Sequence, residues 1–573
     1  MTRTFSSCGR QVDWDFGLRH RNWTTSLSSS TVVLLALSDL LDTVFHSVLL
    51  IGLALALGGA IWERGVFGRR GPPVPDTARR RCLDVIAIGA GLLAGAQITG
   101  LGLQFFVLRA LLGDVALNDL GTATSFRAGA LRALLSVALA VATIRARRSG
   151  CPRLGALALS LTALIALSGA WLTHAVGRFE SRGALMVLTI LHQAAAATWM
   201  GGLVQLGALW RLARTSREID ALWPVAVRRF SRLAVAAVVL LIATALPLAW
   251  VYTRTLNGLI GTGYGSLVAL KILLLLVTLV LAILNLTTAR DVASHDSKNL
   301  RERLPKLVEA ETILLTLLVF AAAGLSALPP PADQRPDQQA TVAEVAEVFR
   351  PKIPSLETPS LEALRRSDAV MAAGASRTRE AYLWSNYSHN MAGLILLVMS
   401  VTSLAGPTLG ARFSRHWPLG LLVLAAFVYL RAAANEGTWP FGSTSITAID
   451  SEGLQHLAAA LLVLAMGLLE WRARGSRAAA PLTYVFPALC VLGAALLLMH
   501  SHRMFQLKEG YLVQVTHSSM GALAGLVAVG RWLELRLPPG PGRLAGGLAS
   551  VAMLAIALIL VFYREANVII PPG

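Results

Sequence analysis

From about residue 40 to the C-terminus, long apolar stretches alternate with short polar ones. A helix rises 1.5 Å per residue, so about 20 apolar residues cross the roughly 30 Å of hydrocarbon in a bilayer. Stretches of that kind fall at 43–62, 84–108, 126–144, 154–174, 183–209, 233–253, 265–287 and 308–328. Six more follow at 386–406, 417–433, 453–471, 481–501, 512–533 and 544–563. The pattern predicts an all-α integral membrane protein of about fourteen membrane-spanning helices in an eight-plus-six arrangement. It divides the chain into a polar tail (1–30), an eight-helix domain (31–328), a connection (329–384) and a six-helix domain (385–573). The connection opens PPPADQRPDQQ, and 361–383 has the pattern of an amphipathic helix lying on the membrane. The polar first 30 residues lack the pattern of a cleavable signal.

Composition agrees with this: 55% of residues are hydrophobic and 14% charged, against about 25% charged in a soluble domain. The net charge of +19 raises the question of nucleic acid, and its distribution answers it. Loops 63–83, 145–153, 211–232, 290–307, 407–416, 472–480 and 531–543 hold 29 Lys and Arg; the short loops on the other side, with the C-terminal tail, hold nine. Basic residues stay on the cytoplasmic side of a membrane protein. The protein is therefore expected in the inner membrane with both termini and the connection outside, although Arg3, Arg10, Arg19 and Arg21 of the tail run against the rule. The charge is a topology signal, and nucleic acid is not an expected partner. Nor is a nucleotide, since no phosphate-binding loop is present. Cys8, Cys82, Cys151 and Cys490 form no CxxC pair and point to neither a disulfide framework nor a zinc finger.

Candidate chemistry concentrates in 499–520, MHSHRMFQLKEGYLVQVTHSSM. His500, His502, Met499 and Met504 are close in sequence, and His517 and Met520 lie one turn apart on one helix face. His389 and His456 are placed in the first turns of the ninth and eleventh helices, at the same outer depth. Intramembrane polar residues are costly and usually face the bundle interior. Imidazole with thioether suits copper, as Cu(I) or Cu(II), while zinc would leave the methionines unused. A haem b would need two facing histidines, which His389, His456 and His517 offer, and would make the protein an electron carrier. The plain alternative is histidines at a membrane interface and methionines filling a core.

The eight-helix domain contains LHQAAAATWMGGLVQLGAL (191–209), RRFSRLA (228–234), GTGYGSLVALK (261–271) and a Glu-led last helix ending in Pro-Pro (311–330). Gly201-Gly202 permits close approach of a neighbouring helix. These motifs, over about 184–330, resemble the copper resistance protein D (CopD) family. The runs EGLQH, LLEW, HSHRM, THSSM and RWLELR resemble a C-terminal extension of its larger members. The resemblance points to His192, Trp199, Gly201, Gly202, Phe230, Tyr264, Gly265, Lys271 and Glu311. It implies a copper transporter, not an enzyme, serving copper homeostasis or resistance, with membrane lipid and a periplasmic copper chaperone as partners. The outer His/Met cluster is expected to capture the ion and His192 to receive it. Trp199, Tyr264, Lys271 and Glu311 would then line the path. Lys271, Glu311 and Arg132 are charges inside the membrane, open to a gating pair or a structural one. Tyr264 has the position of an interface anchor at the outer mouth.

Overall fold

The computed structural model describes residues 29–68, 73–112, 120–150, 152–178, 180–291, 297–372, 378–406, 415–445, 449, 451–475, 482–499 and 507–565. Among these there is no β-strand, and fourteen helices are long and apolar enough to cross a membrane. The first eight are α1 (Ser29–Gly65), α2 (Asp76–Leu112), α3 (Thr124–Ser149), α4 (Pro152–Gly169), α5 (Arg182–Ala213), α6 (Arg217–Thr253), α7 (Gly263–Asp291) and α8 (Ser297–Ser326). After the connection come α9 (Arg379–Leu404), α10 (Leu419–Glu436), α11 (Ser451–Gly475), α12 (Val485–Met499), α13 (Leu507–Arg536) and α14 (Pro539–Val561).

Several helices outrun their apolar stretches. α6 begins at Arg217 instead of near 233, because Ile219, Leu222, Trp223, Ala226, Val227 and Phe230 continue a buried stripe at helical spacing past the hydrocarbon. The same extension corrects three placements. α8 starts at Ser297, so Glu311 sits mid-helix and not at an end. α9 starts at Arg379 and α11 at Ser451, so His389 lies in about the third turn and His456 in the second.

Trp62, Ile86, Leu139, Ile165, Trp199 and Trp223 belong to a core built within the first eight helices; Leu396, Trp417, Phe486, Val527 and Met553 belong to one within the last six. Where α1 crosses α5, a Cβ on Gly201 would lie 2.0 Å from the Ala54 carbonyl oxygen and one on Gly58 2.1 Å from that of Ala197. Only glycine permits this backbone-to-backbone contact, and the Phe230 ring packs against Gly202 beside it. A third cluster joins the two groups: Leu274 and Leu281 of α7 and Leu307 and Leu314 of α8 meet Ala522, Val529 and Leu533 of α13. α13 is the most enclosed helix, with 78% of its most apolar window buried against 17–56% for the others.

The connection docks on the bundle. A short helix, Val342–Phe349, is capped by Thr341 and Glu344 and packs Val345 and Val348 on Tyr511, Leu512 and Val515 of α13. Lys508 holds it through an ion pair to Glu344 at 2.6 Å. Burial works to raise the Glu344 pKa, but the bonds from Lys508 and Thr341 outweigh it and hold the group below its ordinary value. The expected amphipathic helix is described from Leu361 to Ala372; its Leu364 packs on Trp384 of α9 and Ala434 of α10, which gives that apolar face a protein partner.

Candidate metal centre

The structure brings His389 and His517 together on the face of the membrane that carries the connection. α14 packs against both α9 and α13 and holds them in register. Gly393 of α9 makes that possible, since a Cβ there would lie 2.4 Å from the Val561 backbone nitrogen. The imidazole centroids are 5.5 Å apart with ring planes at 88°. Tyr563, just past α14, stacks on His389 at 4.0 Å and lies 6.3 Å from His517. The tail of α14 is pinned in turn: the Ser385 hydroxyl donates to the Glu565 carboxylate, Tyr563 OH donates to it at 3.2 Å, and Glu565 N–H donates to Asn386 Oδ1 at 3.0 Å.

Each histidine is oriented by its own helix. Nδ1 of His389 lies 2.8 Å from the Ser385 carbonyl oxygen, and that of His517 lies 3.2 Å from the Val513 carbonyl oxygen. His456 repeats the arrangement with Glu452 at 2.9 Å. A carbonyl only accepts, so Nδ1 carries the proton and the basic nitrogen is Nε2, the tautomer in which metal-binding histidines are commonly held. Metal–nitrogen bonds of about 2.0–2.1 Å put the centroids of two imidazoles on one ion roughly 5–6 Å apart, which the His389–His517 pair satisfies.

Of the remaining ligand candidates, His456 is carried to a different part of the bundle. α11, which carries His456, packs between α10 and α12. His500, His502 and Met504 lie outside the described residues. Among the described residues no three His, Cys, Asp or Glu side chains group closely enough to hold a metal ion. Met520 is buried one turn beyond His517. Met499, also buried, accepts a 3.7 Å hydrogen bond at its sulfur from Ser47 of α1. It lines a cavity of about 420 Å³ at the seam between the two helix groups, with Ser38, Asp42, Thr43, Gln104 and Gln514 as polar lining. Gln514 precedes His517 by one turn on α13, so neighbouring faces of that helix serve the cavity and the histidine pair.

In the first eight helices, His192 Nδ1 lies 3.1 Å from Thr244 Oγ1. The Thr244 hydroxyl hydrogen goes to the Leu240 carbonyl at 2.8 Å, so His192 is the donor and again keeps Nε2 basic. Lys271 lies within electrostatic reach of it. Glu311 is 2% exposed and accepts Trp199 Nε1–H at 2.6 Å on one oxygen and the Asn285 amide on the other. This joins α5, α7 and α8. Among the described residues no ion pair links Lys271, Glu311 and Arg132. Tyr264 is 4% exposed, in an aromatic cluster with Tyr252 at 6.1 Å and His174 at 6.2 Å, so it is a buried packing residue and not an interface anchor. Burial holds the His174 imidazole below its ordinary pKa.

Sequence reasoning missed Asn285, Tyr563, Glu565 and the ion cluster of Glu470 with Arg474 (2.7 Å) and Arg531 (2.8 Å). Asn285 was visible as a lone amide in LLLVTLVLAILNL, and Glu470 as a carboxylate inside a span. Tyr563 and Glu565 carried no signal, because they lie at and just past the end of the last apolar stretch.

Residues 224–325 match the family model for copper resistance protein D. No curated protein and no solved structure matches the chain. The matched segment covers most of α6 through α8 and contains Phe230, Tyr264, Lys271, Asn285 and Glu311, with His192 and Trp199 before it and α9–α14 after it. Over this segment the chain is similar to the copper resistance protein D family.

Proposed function

We propose that this copper-resistance-family membrane protein imports copper, capturing the ion where α9, α13 and α14 meet. The His389–His517 pair, oriented through Nδ1 and spaced for one ion, carries the proposal. His500, His502 and Met504 follow Met499 within five residues of the chain and would complete the ligand set, with Met520 as a further donor. Loop charges put this face outside, where a periplasmic copper chaperone would deliver. The seam cavity, with the Asp42 carboxylate and the Met499 thioether in its wall, is the route from the pair to the first eight helices, and His192 with Lys271 is the next station. Glu311 and Trp199 then act by fixing α5, α7 and α8 around the path, because both Glu311 oxygens already hold donors. The protein is a transporter and not an enzyme, and no nucleotide drives it. Copper accumulation in cells tests this: His192→Ala is expected to lower it at unchanged protein level, and unchanged accumulation would contradict the route.

A further inference from the structure

A second cavity lies within the first eight helices, between α5, α6, α7 and α8. Its volume is about 170 Å³, and apart from Trp199, Ser231, Asn285 and Glu311 its wall is apolar. Val235, Val239 and Ile283 line it and are 47%, 61% and 58% exposed on the outer flanks of α6 and α7. All three sit within membrane-spanning helices, so the cavity opens sideways into hydrocarbon and not onto either aqueous face. A cavity of about 150 Å³ is enough to accept a benzene ring. The polar wall adds a second requirement. Asn285 is 9% exposed and donates its amide to Glu311, yet its Oδ1 is buried without a hydrogen-bond partner. A buried acceptor left unmade is costly, and a ligand bringing an O–H would answer it.

We propose that this cavity binds a lipid-soluble phenol or quinol from the bilayer. The ring fills the apolar space beside Trp199 and Phe230, the hydroxyl donates to Asn285 Oδ1, and the alkyl substituent leaves past Val235 and Ile283. A lipid acyl chain would fill the same space and leave Asn285 unanswered. The site is independent of copper capture, which involves other helices.

Photolabelling of the purified full-length protein in nanodiscs tests this, using a diazirine-bearing alkylphenol and its alkylbenzene counterpart, with labelled positions read by mass spectrometry. The phenol is expected to label 230–239 and 279–286 and to be displaced by unlabelled alkylphenol at concentrations at least tenfold below those needed with alkylbenzene. Asn285→Leu should erase that tenfold preference, and Ala282→Phe should abolish labelling of the segment while copper binding at His389–His517 is retained. Equal labelling by the two probes in the unmodified protein would overturn the proposal in favour of an acyl-chain groove, and so would labelling that survives Ala282→Phe. The comparison of the two probes on the unmodified protein decides the matter even if a variant does not fold.

Discussion

Trp199 donates its indole N–H to the Glu311 carboxylate at 2.6 Å, in a part of the bundle where both side chains are almost wholly buried. The bond ties α5 to α8, and Asn285 brings in α7 on the other carboxylate oxygen. Two residues whose positions suggested a transport path thus form a lock between three helices. Hydrocarbon makes such a lock worth keeping, since broken polar contacts find no water.

Replacing Glu311 by leucine leaves the Trp199 and Asn285 donors without acceptors, at a cost of about 1–3 kcal/mol for each. Glu311→Gln keeps one acceptor and should lose less. Thermal unfolding in detergent should rank the wild type above Glu311→Gln and that above Glu311→Leu; equal midpoints for the two variants would contradict the lock.

The α1–α5 crossing makes a sharper steric prediction. Gly201→Ala places a methyl 2.0 Å from the Ala54 carbonyl oxygen, a backbone atom that cannot swing aside, and should cost about 1–3 kcal/mol or more. At Gly207, on the same helix, an added Cβ would meet nothing within 4 Å, so Gly207→Ala should be close to neutral. Unfolding midpoints of the two variants check the contrast.

Glu470 is fully buried against Arg474 and Arg531. Glu470→Gln removes the charge that Arg474 and Arg531 share and leaves Arg531 with Glu534 at 2.7 Å, and breaking a buried pair costs about 3–5 kcal/mol. The exposed pair Arg350–Glu347 is the control, where Arg350→Gln should leave the unfolding midpoint essentially unchanged. Comparable losses at the two sites would refute the distinction.

The latch between Glu344 and Lys508 has a defined pH dependence. The folded Glu344 carboxyl lies below its ordinary value, so its contribution is complete above the unfolded value of about 4.3 and disappears as pH falls through the folded one. The pair is partly exposed and worth less than about 1 kcal/mol, which is enough to change local opening. Amide exchange in Val342–Phe349, corrected for intrinsic rate, should become less protected below about pH 4. In Glu344→Gln that acid-dependent step should be absent.

Hydropathy made the helices legible because a span needs about 20 apolar residues whatever its neighbours are. It left the helix ends unread, as at α6, where burial against protein continues the helix beyond the hydrocarbon. Gly201-Gly202 announced a close crossing correctly, since a pair of small residues has few other uses within a span. The partners of the site were harder to read. His389 and His517 share a depth in the sequence pattern, yet only the position of α14 between their helices brings the rings into contact. His456 shares that depth too and is carried elsewhere by α11. Depth follows from sequence spacing, whereas azimuth and neighbour follow from packing.

Copper binding by the purified protein and its His389→Ala, His517→Ala double variant is the most direct test of the capture site. Metal analysis after Cu(I) loading and desalting should find one copper fewer per chain in the double variant, with the unfolding midpoint of the apo-protein little changed. An unmodified stoichiometry in the double variant would contradict capture at this pair, and a Soret band in the protein as isolated would replace copper transport with haem-based electron transfer.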